Sequence, residues 1–153
     1  MARRFIKSFC LFLGLIGGWT TNAFAEEFIV TAVGVKFDPM VVIMQPGDRV
    51  SWTNMPAHNV ETIDAMVPEG TEKINSELGM EYSQVFENEG VYVYKCAPHW
   101  GARMGGVILV GTPSDIEGVI DAYLAEIEKD KSLLPAKGLL KKFKKQLQQE
   151  GIL

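Results

Sequence analysis

Residues 91–110 read VYVYKCAPHWGARMGGVILV, two β-rich apolar runs joined by a short loop, and they decide the fold. Val91 to Cys96 alternates valine with tyrosine before its last two residues, and such residues suit a pleated strand. Gly106-Val107-Ile108-Leu109-Val110 forms the second run. Between them a thiol, an imidazole and a thioether stand in the order Cys96-x2-His99-x4-Met104. The chain has two histidines in all; the other, His58, follows Pro56-Ala57 in an upstream turn.

Outward from this segment the pattern of strand and turn continues. Phe28 to Val33 and Val41 to Met44 are β-rich runs. Pro46-Gly47-Asp48 is a turn signal leading into Arg49-Val50-Ser51-Trp52-Thr53, and Tyr82 to Phe86 alternates in the same way. Asp64 to Gly79 lacks a period of two and is expected to be a long irregular connection. Short strands at this spacing predict a mainly β chain, a β-sandwich or barrel. The character then changes. Ser114 and Glu117 form a capping box after Pro113, and Ile116, Val119, Ile120, Tyr123, Leu124 and Ile127 follow at helical spacing. Pro135 separates this helix from a second one carrying Leu139, Leu140, Phe143 and Leu147. Lys141, Lys142, Lys144 and Lys145 crowd its polar side, either as a solvated face or as a membrane-surface or partner contact.

The N-terminus carries Arg3, Arg4 and Lys7, an apolar stretch from Phe9 to Ile16, and the small-x-small site Ala23-Phe24-Ala25. These are the parts of a secretory signal peptide, and the apolar run falls short of the roughly 20 residues a spanning helix needs. Arg3-Arg4 leaves a twin-arginine route open beside the general one. The expected division is a signal peptide at 1–25, a β-sandwich at 26–111, and a helical extension packed on it at 112–153. Cleavage removes Cys10, so Cys96 is left alone and no internal disulfide can form. It also leaves twelve basic residues against nineteen acidic ones, a formal net charge of −7. That balance excludes a nucleic-acid binder, which needs a basic footprint.

A lone cysteine is commonly a small buried hydrophobe, and a lone methionine is commonly core packing. Met40, Met44, Met55, Met66 and Met80 take that reading, or lie at the surface. His58, Cys96, His99 and Met104 together point elsewhere. Soft sulfur with imidazole selects copper, and His2Cys with a weak axial methionine is the pattern of a mononuclear electron-transfer site. Zinc is the competing ion, but its structural sites are rich in cysteine and histidine and do not use a thioether. Two residues between Cys96 and His99 let one tight loop turn both side chains inward, with Pro98 fixing a dihedral there. Asn59, beside His58, is a candidate for tying the two ligand loops together.

At these residues the chain resembles the cupredoxins, and within them the pseudoazurin branch. The matching segments are Phe37-Asp38-Pro39, Pro46-Gly47-Asp48, His58 to Ile63, Met66 to Gly70, and the loop from Cys96 through Met104. The resemblance spans the mature chain, including the two helices. It implies a Greek-key sandwich of about eight strands holding one type 1 copper ion per chain, with His58, Cys96, His99 and Met104 as ligands. It implies a monomeric periplasmic electron carrier rather than an enzyme, with no membrane span after cleavage. Electrons would pass through the exposed edge of His99, in an apolar patch of Pro98, Trp100, Gly101 and Ala102. Implied partners are transient: copper nitrite reductase, other periplasmic reductases or c-type cytochromes. Family members ring the patch with lysines, whereas this domain offers mainly Lys36, Lys73, Lys95 and Arg103, which weakens steering toward acidic partners. Copper trafficking or storage is the alternative function; such a protein would surrender its ion readily.

Overall fold

The computed structural model describes residues 25–153. The rest of the expected signal peptide, with Cys10 and both arginines, lies outside the described residues. Eight strands follow in chain order: β1 (Glu27–Val33), β2 (Lys36–Asp38), β3 (Val41–Met44), β4 (Arg49–Thr53), β5 (Glu61–Thr62), β6 (Tyr82–Val85), β7 (Gly90–Lys95) and β8 (Gly105–Val110). They form two four-stranded sheets, ordered β2-β1-β4-β6 and β3-β8-β7-β5. The pairs β1–β4 and β3–β8 are parallel and all others antiparallel.

The six strands expected from sequence are present. Strands β2 and β5, of three and two residues, are too short for alternation to show. The Asp64–Gly79 connection is irregular as expected, apart from a 3-10 turn at Asp64–Met66 and a single bridge from Glu61 to Asn75.

One apolar core lies between the sheets, where Val30, Val42, Val50, Trp52, Tyr92, Tyr94 and Ile108 meet. A second lies on the outer face of the β3-β8-β7-β5 sheet, under the helices α1 (Ile116–Lys129) and α2 (Ala136–Gln149). Successive side chains of a strand point to opposite faces, so Tyr92 and Tyr94 enter the first core while Val91 and Val93 enter the second. All six residues of β8 are buried for the same reason. A strand covered on both faces needs apolar residues throughout, which is why β8 reads as a continuous run. The molecule is therefore layered as sheet, sheet and helices.

Each helix packs one stripe. Ile116, Ile120, Tyr123 and Ile127 are buried on α1, with Leu139, Leu140, Phe143 and Leu147 on α2. The Tyr123 hydroxyl donates to the Val91 carbonyl at 2.9 Å, fastening α1 to β7. The cap of α1 differs from expectation. Asp115, not Ser114, is the N-cap, and its carboxylate accepts from the Gly118 N–H at 2.8 Å. A charged acceptor there also complements the helix dipole. Pro135 occupies the N-cap position of α2 rather than ending α1, which closes at Lys129. No described helix is long and apolar enough to cross a membrane.

Candidate metal centre

The three donors come from two loops at one end of the sandwich. Cys96 leaves β7 in extended backbone and starts a 3-10 turn over Ala97–Ala102, with Pro98 in its first turn. Proline there loses no intrahelical bond, since those N–H groups lack partners anyway. Arg103 then adopts a left-handed conformation (φ 65°, ψ 32°) and reverses the chain into β8. The loop closes on itself: the Cys96 N–H donates to the Met104 carbonyl at 2.9 Å, and the Arg103 N–H to the Trp100 carbonyl at 2.8 Å.

His58 sits in the turn after β4. Its N–H donates to the Met55 carbonyl, and its carbonyl accepts from the Gly79 N–H, each at 2.9 Å. Asn59 joins the two loops as anticipated, its Oδ1 accepting from the Ala97 N–H at 2.8 Å. The backbone on either side of the imidazole is thereby held at a fixed distance from the Cys96 loop.

These supports bring His58 Nδ1, His99 Nδ1 and Cys96 Sγ together. The nitrogens are 3.1 Å apart, and the sulfur is 3.7 Å from His58 and 3.4 Å from His99. Cys96 is fully buried and both histidines are half-buried. Burial, and then the neighbouring His99 ring, hold the His58 imidazole below its ordinary value, which favours the neutral form that binds metals. A triangle with those three edges has its equidistant point about 2.0 Å from each atom, the length of an imidazole–metal bond. Two imidazoles and one thiolate at that separation suit a single soft or borderline ion. Met104, also fully buried, belongs to the same apolar cluster as Cys96.

The model of copper binding proteins of the plastocyanin/azurin family matches residues 27–111. The pseudoazurin of Methylorubrum extorquens is 40% identical over 103 residues, covering 63% of this chain and 70% of that protein. The chain belongs to this family, among its pseudoazurins. Two solved pseudoazurin structures share the fold. That from Methylobacterium extorquens AM1 has a TM-score of 0.58 at 34% identity, covering 61% of this chain and 82% of the other. That from Hyphomicrobium denitrificans has 0.56 at 30%, covering 64% and 82%. For a pseudoazurin the cofactor is copper, and His58, Cys96 and His99 form a group able to hold it.

One residue of the loop surface has a further role. Pro98, Gly101 and Ala102 are exposed around His99, but Trp100 is half-buried against the helical layer. Its Nε1–H donates to the Ser132 carbonyl, in the turn between the helices, at 3.0 Å. Trp100 is thus a tie between ligand loop and helices, with the part left uncovered beside His99. Nothing in the sequence marks that partner, because every residue has a carbonyl.

Proposed function

We propose that this chain is a periplasmic single-electron carrier whose one copper ion is held by His58, Cys96 and His99, with Met104 as the weak axial ligand. Copper bound there supplies a one-electron couple between its cupric and cuprous states. The convergence of the three donor atoms, 3.1 to 3.7 Å apart around a fully buried sulfur, carries this reading. Cys96 and the two imidazoles define a plane, and the Asn59–Ala97 bond keeps its two loops from separating. Met104 takes the Cys96 N–H on its carbonyl, precedes β8 and is buried in the same cluster as Cys96, which supports its axial role. Burial of Cys96 excludes water from the thiolate, and His99 gives a route out through the exposed rim of Pro98, Gly101 and Ala102. Held by these four donors, copper would keep no open position for bond-making chemistry, which supports a carrier rather than an enzyme. Export by the 1–25 signal peptide would place it beside periplasmic reductases or c-type cytochromes, with contacts brief enough for turnover.

The test is retention of the ion. Copper-loaded mature protein taken through repeated reduction and reoxidation, in the presence of a competing chelator, is expected to keep its copper. Progressive loss in each cycle would favour trafficking or storage and contradict a carrier.

A further inference from the structure

A groove of about 250 Å³ lies beside the ligand loop, between β2, the Ala102–Gly105 segment and α2. Phe37, Met40 and Leu139 give it apolar walls, and three cations from three separate elements surround it: Lys36, Arg103 and Lys142. No aspartate or glutamate lines it.

The groove cations have no carboxylate partner of their own, which leaves them available to a ligand. On the sandwich, Lys73 pairs with Asp64 and Lys95 with Glu61. On the helical extension, four other lysines pair with Glu117, Glu126 or Glu128. Among the described residues, six cations have no carboxylate within ion-pair distance, namely Lys36, Arg49, Arg103, Lys141, Lys142 and Lys145, and three of these line the one groove. An acidic chain with many carboxylates available leaves three positive groups unpaired around one concavity. An incoming anion would meet three cations and no carboxylate there, and guanidinium and ammonium groups make strong charge-assisted hydrogen bonds to carboxylate.

A second observation concerns the space itself. Gly138 lines the groove from the first turn of α2, and a Cβ there would meet no atom within 4 Å. Glycine in a helix costs up to ~1 kcal/mol relative to alanine, and crowding does not require it here. Its effect is to leave the groove open. The volume falls below the ~300–1,000 Å³ of sites for drug-sized molecules, which suits a compact ligand.

We infer that this groove is a binding site for a small organic carboxylate with an apolar body, such as a short alkyl or single-ring acid. The carboxylate sits among Lys36, Arg103 and Lys142, and the apolar body lies against Phe37, Met40 and Leu139. Because Arg103 belongs to the ligand loop, the site touches the segment that carries His99 and Met104.

The experiment is calorimetric titration of the copper-loaded mature protein at low salt with octanoate, acetate and octanol. Octanoate is expected to bind saturably, at least about tenfold tighter than acetate (charge alone) or octanol (apolar body alone). Gly138→Leu fills the groove and raises helix propensity, so it folds, and it should weaken octanoate by about tenfold or more. Lys142→Gln, at an exposed position, should weaken it severalfold and reduce its salt dependence. Octanoate binding no better than acetate or octanol would overturn the proposal. So would undiminished binding to Gly138→Leu, which would put the ligand elsewhere on the molecule.

Discussion

Asn59 shows how one side chain sets a distance between donors that the backbone alone leaves free. Its Oδ1 holds the Ala97 N–H while His58, its neighbour, faces Cys96 and His99. Asn59→Ala leaves that N–H without its protein partner, at a cost of about 1 kcal/mol. Copper loss to a chelator is expected to quicken by about fivefold for that energy, while Asn59→Asp, which keeps the acceptor oxygen, should stay nearer the parent. Equal loss rates in all three proteins would show that the bond does not govern the site. Cys96 and His99 were legible from sequence because they share a tight loop at the end of a strand. His58 was legible because no other histidine was left to complete the set. The second role of Trp100, as a tie to the helices, was not legible, because its apolar ring suits an open patch and a packed one equally well.

At the scale of elements, the helices are fastened to the sandwich at two identifiable points. One is Trp100 to Ser132, which reaches the ligand loop itself. Trp100→Phe keeps a ring but loses the N–H, again about 1 kcal/mol. Hydrogen exchange at the Arg103 amide, which donates to the Trp100 carbonyl, is expected to speed up severalfold; unchanged exchange would mean that the helical turn does not restrain the loop. The other point is Tyr123 to Val91. Burial pushes the Tyr123 phenol from 10.0 up to about 12, with nearby Tyr92 adding to the shift. A folded-state value above the unfolded one gives stability that is complete below about pH 10 and is lost as pH rises toward 12. Tyr123→Phe should therefore lower stability at neutral pH by about 1 kcal/mol and flatten its decline above pH 10, measured by urea unfolding across that range. An alkaline decline as steep as the parent's would assign it to other tyrosines. Strands of four or more residues could be read from alternation or, as in β3 and β8, from continuous β-rich runs, and the helices from their apolar stripes. The two shortest strands could not, since two or three residues define no period. The helix cap moved by one residue because Ser114 and Asp115 are both good caps and only packing selects between them.

Taken whole, the molecule uses each layer differently. The first sheet and the inner face of the second enclose the apolar cluster that contains Cys96 and Met104. The outer face of the second sheet supports the helices, and one of these borders the cationic groove. Charge is distributed less evenly than composition suggests. Lys73 and Lys95, which the sequence offered as steering groups, are neutralised by Asp64 and Glu61, leaving Lys36 and Arg103 joined by Lys142 from the far end of the chain. That gathering was invisible in the sequence, where the three lie far apart. The central claim is that Cys96 presents a thiolate to copper between two imidazoles. Visible absorption of the copper-loaded mature protein and of Cys96→Ser measures it most directly. An intense thiolate-to-copper band in the parent that is lost in Cys96→Ser is the expected result; the same band surviving the substitution, or a colourless copper-loaded parent, would contradict it.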